Sequence, residues 1–165
     1  MKIRNSFISN SSSSSFIVID SKINPDLNLF IDDGIFILGE KGEYEFGWQV
    51  EEYSDLNSKI NFCYLQAKYV QERSTNSDYI EMLYKVLKDY FPQIQDIIPI
   101  LTIWSDNIKY VEHSMYGKMR TKGGYIDHAS AATEDENLEM FESEDNLRAF
   151  LFGDNSYIQN DNDNH

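Results

Sequence analysis

The chain has 165 residues, of which 28 are acidic and 14 are basic, so its formal net charge is −14 at pH 7. This length suits one domain that buries roughly 70% of the surface its unfolded chain exposes. A content of 41% hydrophobic and 14% aromatic residues excludes a disordered acidic tail. The charge argues against direct nucleic-acid binding through the phosphate backbone. A membrane-spanning helix is excluded as well, because the sequence has no run of about 18 apolar residues.

The compartment is predicted from the cysteine content and the amino-terminal residues. Cys63 is the single cysteine, which excludes an internal disulfide and a cysteine-rich zinc site. Lys2 and Arg4 are followed by polar serines, where a secretory signal would have an apolar segment. We therefore predict a cytoplasmic protein, since a reducing compartment suits a chain with one thiol.

The first part of the chain has the pattern of strands. Apolar runs cover 16–19 and 35–38, and residues 43–50 alternate polar with aromatic side chains, as in a half-buried strand. Lys41-Gly42 lies between the last two runs and predicts a hairpin turn there. Residues 1–15 precede these strands and are predicted to form a Ser-rich N-terminal loop.

The middle of the chain has the period of helices. One apolar stripe predicts a helix over 55–74, and its members are Leu56, Ile60, Cys63, Ala67 and Val70. A second helix is predicted over 77–91, ending before Pro92 because the residue before a proline disfavours the helical region. We expect the two helices to form a hairpin that covers a sheet.

Strand patterns return after Pro99, and the candidate segments are 100–104, 108–111, 125–126 and 156–158. A loop is expected over 115–124, a short helix over 143–152 and a polar acidic tail over 159–165. Strands, then helices, then strands again predict an α+β fold in one domain, 1–165. The sheet is expected to be mainly antiparallel, with the two-helix hairpin and the short C-terminal helix packed against it.

A serine-rich run is the first segment with possible chemistry, and it consists of Ser9, Asn10, Ser11, Ser12, Ser13, Ser14 and Ser15. Its hydroxyl and backbone N–H groups suit anion binding, as in backbone nests. Phosphorylation is a second use, because each phosphate adds about −1.5 to −2 charges. The alternative is a flexible, solvated arm. Apolar pairs at 7–8 and 16–17 flank the run, which favours a tethered loop with a recognition or modification role.

The first 16 residues read MKIRNSFISNSSSSSF. In the pattern MKxRxxF[IV]SNSSSSSF the chain resembles an uncharacterised family of proteins from low-GC Gram-positive bacteria and their tailed phages. The segments 125–128, 150–152 and 156–158 are also similar to parts of some of those proteins. The resemblance implies a bacterial or phage source, with the host cytoplasm as compartment for a phage protein. It implies no activity, and it favours a specific role for the serine run.

Two acid–histidine pairs, Glu112-His113 and Asp127-His128, repeat at an offset of 15 residues. Their nitrogen and oxygen atoms are suitable ligands for a divalent metal, and an imidazole beside a serine supplies the residue types of an activated hydroxyl. Adjacent residues of a strand point to opposite faces, so ordinary strand positions are the competing interpretation. We expect no cofactor, and a divalent metal at these pairs is the alternative.

Negative charge concentrates in the last third of the chain, at Glu134, Asp135, Glu136, Glu139, Glu142, Glu144 and Asp145. Such a cluster provides solubility, or it is a surface for a basic protein partner, including by imitation of nucleic acid. A basic and aromatic patch precedes it, formed by Lys109, Lys118, Arg120 and Lys122 with Tyr110, Tyr116 and Tyr125 between them. The patch either holds a nucleotide or a single strand or balances the acidic cluster, and the second interpretation is favoured.

These patterns favour a non-enzymatic binding protein whose acidic face meets a protein partner. In this interpretation the serine run is a recognition or modification element, and the chain contacts neither a membrane nor nucleic acid directly. The alternative is a small metal-dependent or hydrolytic enzyme that uses Glu112, His113, Asp127 and His128.

Overall fold

The structure is a computed structural model that describes residues 2–6, 13–47, 50–73, 78–103, 110–113, 117–126 and 138–162. The helices are α1 (Leu56–Arg73), α2 (Tyr79–Tyr90) and α3 (Glu144–Phe152). The strands are β1 (Lys2–Ser6), β2 (Ser13–Asp20), β3 (Ile35–Leu38), β4 (Glu45–Phe46), β5 (Glu51–Tyr53), β6 (Asp96–Pro99), β7 (Leu101–Ile103), β8 (Tyr110–His113), β9 (Gly117–Arg120), β10 (Lys122–Ile126) and β11 (Tyr157–Asn162). The prediction of an α+β fold is confirmed.

Helix α1 lies inside the core. The predicted apolar stripe is buried, and so are Phe62, Tyr64 and Leu65 on the other faces of the helix. Polar residues of α1 are buried too, and each needs a partner inside the protein. Asn61 Nδ2, for example, donates to the carbonyl oxygens of Lys41 and Glu43, both at 2.8 Å. The helix is therefore enclosed by the fold, whereas the sequence predicts one that only covers a sheet.

One sheet has four antiparallel strands in the order β1-β2-β11-β5. The predicted strands at 16–19 and 156–158 are β2 and β11, which pair with Ile17 opposite Ile158. Strand β11 lies between β2 and β5. It also continues to Asn162, beyond residue 158 where the prediction ends the strand and begins the polar tail.

The other pairings include parallel ones. Strand β3 pairs in parallel with β6, and β10 pairs in parallel with both β7 and β4. The predicted hairpin at Lys41-Gly42 is therefore wrong, because β3 and β4 do not pair with each other. The chain there lies against the start of α1, where the backbone N–H of Glu43 donates to Ser58 Oγ at 2.8 Å. Among the described strands, four pairings are antiparallel and three are parallel. Antiparallel pairing is thus the more frequent, as predicted, and the parallel pairs are an addition to the prediction.

Strands also occupy much of the segment 115–124, which the sequence predicts as a loop. Strands β8 and β9 pair in antiparallel fashion from Tyr110 opposite Arg120 to His113 opposite Gly117. The backbone N–H of Lys122, at the start of β10, donates to Ile100 O at 2.7 Å. Lysine and glycine have low strand propensity, and β10 depends on β4 and β7, which are distant in sequence.

The core is rich in aromatic side chains, and the largest fully buried ones are Phe46, Phe62, Phe150 and Phe152. Helix α3 supplies two of them and begins as predicted, with Ser143 Oγ accepting from the backbone N–H of Asn146 at 3.0 Å. Among the described helices, none combines the length and apolar character needed to cross a membrane.

Candidate functional site

The serine run and the polar C-terminal residues are cross-strand partners. In the register of β2 and β11, Ser15 lies opposite Asn160 and Ser13 lies opposite Asn162. The Ser15 hydroxyl donates to Asn160 Oδ1 at 2.7 Å, and both side chains are buried. Two segments that the sequence treats separately, the predicted loop and the predicted tail, thus join in one sheet.

The burial of Ser15 changes its predicted role. Its hydroxyl is fully buried and already hydrogen-bonded, so in the folded chain it is closed to a modifying enzyme. Ser13 and Ser14 belong to β2 rather than to a loop. The remaining candidates of the run, Ser9, Asn10, Ser11 and Ser12, lie outside the described residues, and their recognition role stays a prediction.

The sheet face that carries Ser15 continues across Asn160 to Glu51 of β5. Glu51 Oε2 accepts a hydrogen bond from the Tyr53 hydroxyl at 2.9 Å. Burial raises the pKa of Tyr53, and the carboxylates of Glu51 and Glu43 raise it further. Tyr53 therefore stays a neutral donor, and one end of this sheet face is polar and negatively charged.

One of the two acid–histidine pairs, Asp127-His128, falls outside the described residues, and the other lies at the end of β8. Glu112 is exposed and forms an ion pair with Lys118 at 3.7 Å, while the backbone of His113 lies opposite Gly117. Asp127 and His128 are not described. In the described ranges, no group of three or more histidine, cysteine or acidic side chains is placed to hold a metal ion. The metal site stays a prediction.

Two of the four described members of the predicted acidic cluster, Glu144 and Asp145, form ion pairs. Glu144 lies 2.8 Å from Lys85 Nζ and 3.5 Å from Arg148 Nη2, and Arg148 Nη1 lies 3.5 Å from Asp145. Burial and the neighbouring Glu142 raise the pKa of Glu139. Glu134, Asp135 and Glu136 lie outside the described residues.

A second acidic surface, absent from the sequence predictions, lies at β5 and the start of α1. We call it the acidic β5 surface and define it as Val50, Glu51, Glu52 and Asp55, all exposed. No cation in the described ranges forms an ion pair with its three carboxylates. A signal was present in the sequence, because residues 42–58 include five acidic residues and no lysine or arginine.

A buried lysine lies near this surface. Lys59 of α1 is 3% exposed, and its ammonium group donates to the Ser156 carbonyl oxygen at 3.4 Å. Burial lowers its pKa from 10.5 to about 8, against the opposing effects of Cys63 and Asp55. A charged amine is costly inside a protein without close ion pairing, so Lys59 reduces the stability of the fold near neutral pH.

Lys59→Met should therefore stabilise the protein at pH 7 by about 1–3 kcal/mol, because methionine keeps the side-chain length and removes the charge. The folded-state pKa lies below the unfolded one, so the unfolded chain binds more protons between about pH 8 and 10.5. In the wild type this residue's contribution to the free energy of unfolding consequently rises with pH across that window. Urea unfolding at pH 7 and pH 9.5 should show the advantage of the variant shrinking at the higher pH.

The exposed Lys88→Met is the matched control and should show neither effect. Burial raises the pKa of the Cys63 thiol in the folded chain, which keeps it neutral at pH 9.5 with or without the lysine. The tyrosines act on both chains alike, so the difference between the chains reports Lys59. A Lys59→Met variant less stable than the wild type at both pH values would contradict the prediction.

Comparison of the chain with protein-family models, curated proteins and solved structures gives no match.

Proposed function

We propose that this chain is a non-enzymatic binding protein, of the bacterial or phage source that its first residues suggest, whose acidic β5 surface meets a basic surface of a protein partner. The observation that carries the proposal is the contrast between two groups of carboxylates. Glu144 and Asp145 of α3 form ion pairs with Lys85 and Arg148. Glu51, Glu52 and Asp55 form no ion pair with a described residue, and Lys59, which acts on Asp55 at longer range, is buried. A carboxylate that has no ion pair within the chain can form one with a cation of another protein.

The position of β5 supports the same proposal. Strand β5 ends the order of its sheet, and in the described ranges no strand pairs with its outer edge. Carboxylates on an edge strand repel a second copy of the same strand, which limits self-association. A partner with lysine or arginine side chains meets no such repulsion, so the same residues give specificity for a basic surface. Val50, which precedes β5 and is 68% exposed, adds an apolar contact to this surface.

The test compares two variants with the same change in net charge. Glu51→Gln/Glu52→Gln/Asp55→Asn neutralises the acidic β5 surface, and asparagine keeps the side-chain oxygen through which Asp55 caps α1. Glu72→Gln/Glu81→Gln/Glu142→Gln neutralises three exposed carboxylates elsewhere. Each tagged chain is used to capture partners from a bacterial lysate, and the captured proteins are identified by mass spectrometry.

We expect one basic protein to bind the wild type and the control, and to be lost from the β5 variant by about tenfold or more. Its retention should fall between about 0.1 and 0.5 M salt, because exposed charges are screened beyond roughly a Debye length. Capture that is indifferent to both salt and the β5 substitutions would overturn the proposal.

A further inference from the structure

A groove of about 430 Å³ opens on the face of the protein formed by β4 and the junction of β9 with β10. Its lining residues are Tyr44, Glu45, Arg120, Thr121, Lys122 and Gly123. This volume is in the range of pockets that hold small molecules, roughly 300–1,000 Å³. Two cations of the basic and aromatic patch, Arg120 and Lys122, line the groove. None of its lining residues belongs to the acidic β5 surface.

Arg120 is the unusual residue of the groove. It is exposed, and the described part of the chain offers its guanidinium neither an ion pair nor a hydrogen bond. Acidic residues outnumber basic ones two to one in this sequence, so an arginine that forms no ion pair is unexpected. The planar guanidinium fork suits two-point binding of a phosphate group.

Lys122 supplies a second, fixed positive charge. Its ammonium group donates to the Glu40 carbonyl oxygen at 2.9 Å and lies 5.1 Å from the centre of the Tyr44 ring. Both neighbours are uncharged, so they position the ammonium without neutralising it. Two cations on one groove favour a doubly charged anion over a singly charged one.

Glu45 restricts the class of ligand further. Its exposed carboxylate lines the same groove, where it disfavours a simple anion by repulsion. A carboxylate is, however, a good acceptor for sugar hydroxyl groups, as in dinucleotide sites where an acidic residue binds the ribose. A ligand with a phosphate and free sugar hydroxyls offers an acceptor to the two cations and hydrogen-bond donors to the carboxylate.

We propose that this groove binds a nucleoside monophosphate, with Arg120 and Lys122 contacting the phosphate and Glu45 accepting from the ribose hydroxyls. The site is separate from the acidic β5 surface, so either proposal can fail without the other.

Calorimetric titration of the full chain with AMP, inorganic phosphate and adenosine tests the site. The key variant is Arg120→Gln, and Lys88→Gln on α2 removes the same charge from an exposed position away from the groove. We expect saturable AMP binding that Arg120→Gln weakens by about tenfold or more, since a hydrogen bond to a charged group contributes about that much. Lys88→Gln should change it by less than about twofold.

Glu45→Gln separates the nucleotide from a bare anion. It should weaken AMP binding, because a neutral amide oxygen replaces the charged acceptor of the ribose hydroxyls. Binding of inorganic phosphate should be unchanged or tighter, because the repulsion by the carboxylate is removed. The affinity for adenosine, which has no phosphate, should not change in Arg120→Gln. Absence of saturable AMP binding, equal losses in Arg120→Gln and Lys88→Gln, or phosphate binding as tight as AMP would each overturn the assignment. Thermal unfolding of every variant checks that the fold is kept.

Discussion

Replacement of Gly153 by alanine should destabilise the protein by about 3 kcal/mol or more. A Cβ atom at this position would overlap the backbone carbonyl oxygens of Asp20 and Ala149. These atoms belong to β2 and α3 and cannot rotate away as a side chain can. The φ angle of Gly153 is −67°, which any residue adopts, so the requirement for glycine here is space rather than backbone freedom.

The effect should be large because three elements meet at this point. The backbone N–H of Gly153 donates to Ala149 O at 2.9 Å. Ser156 Oγ donates to the same oxygen at 2.6 Å and accepts from the backbone N–H of Asp20 at 2.8 Å. A shift that makes room for a methyl group therefore separates α3 from β2 and from the start of β11.

Urea unfolding of Gly153→Ala beside Gly117→Ala tests this explanation. Gly117 has a φ of +67°, and no described atom lies within 4 Å of the position that an alanine Cβ would take there, so its replacement adds backbone strain without crowding. We expect a cost of about 1–2 kcal/mol for Gly117→Ala. A Gly153→Ala variant no less stable than Gly117→Ala would show that the close approach of α3 and β2 is absent in solution.

The elements with strong local signals could be predicted from the sequence. The strand at 35–38 coincides with β3, and the helices predicted over 55–74 and 77–91 differ from α1 and α2 by one or two residues at each end. Periodic apolar residues, a proline after the second helix and a capping serine before α3 are all local features. They determine an element without reference to its neighbours.

Strand partners could not be predicted in the same way, because pairing depends on segments distant in sequence. Strand β3 pairs in parallel with β6, and β10 with β4. Both β3 and β10 contact α1, and no local sequence pattern indicates these pairings. The hairpin predicted at Lys41-Gly42 fails for this reason. A turn signal shows that the chain bends, but it does not show that the flanking strands pair with each other.

The cation partners of the carboxylates also could not be predicted from the sequence. Sequence proximity groups Glu144 and Asp145 into one acidic cluster, yet Lys85, distant in sequence, neutralises part of it. Glu51 and Glu52 form a smaller group in the sequence and keep their charge uncompensated among the described residues. Tertiary contacts decide which carboxylates have a cation partner, so counting acids along the chain does not show which of them lack ion pairs.

Replacement of Phe46 by alanine should cost about 3–5 kcal/mol, the range for removing a buried aromatic side chain. Phe46 is fully buried, and its ring meets those of Tyr53 and Phe62 edge to face, with centroid distances of 5.5 and 5.1 Å. Strand β4 has only two residues, so its ladder hydrogen bonds hold it weakly. The side chain of Phe46 therefore joins β4, β5 and α1.

Leucine is the informative second variant, because Phe46→Leu keeps most of the buried volume and loses the edge-to-face contacts. Phe46→Leu should lower the free energy of unfolding by clearly less than Phe46→Ala does. Val50→Ala, at an exposed position, should leave that free energy within about 0.5 kcal/mol of the wild-type value. Equal stability of the alanine and leucine variants in urea unfolding would contradict the packing explanation.

The same substitution connects the core to both proposed surfaces. Glu45 precedes Phe46 in β4, and Tyr53 holds Glu51 by a hydrogen bond at 2.9 Å. Phe46→Leu, which should stay folded, is expected to weaken AMP binding and partner capture together, since it loosens the anchor that the groove and the acidic β5 surface share. Arg120→Gln should weaken only AMP binding, and the β5 variant should reduce only partner capture. A Phe46→Leu chain that is destabilised yet unchanged in both assays would show that neither surface depends on this contact.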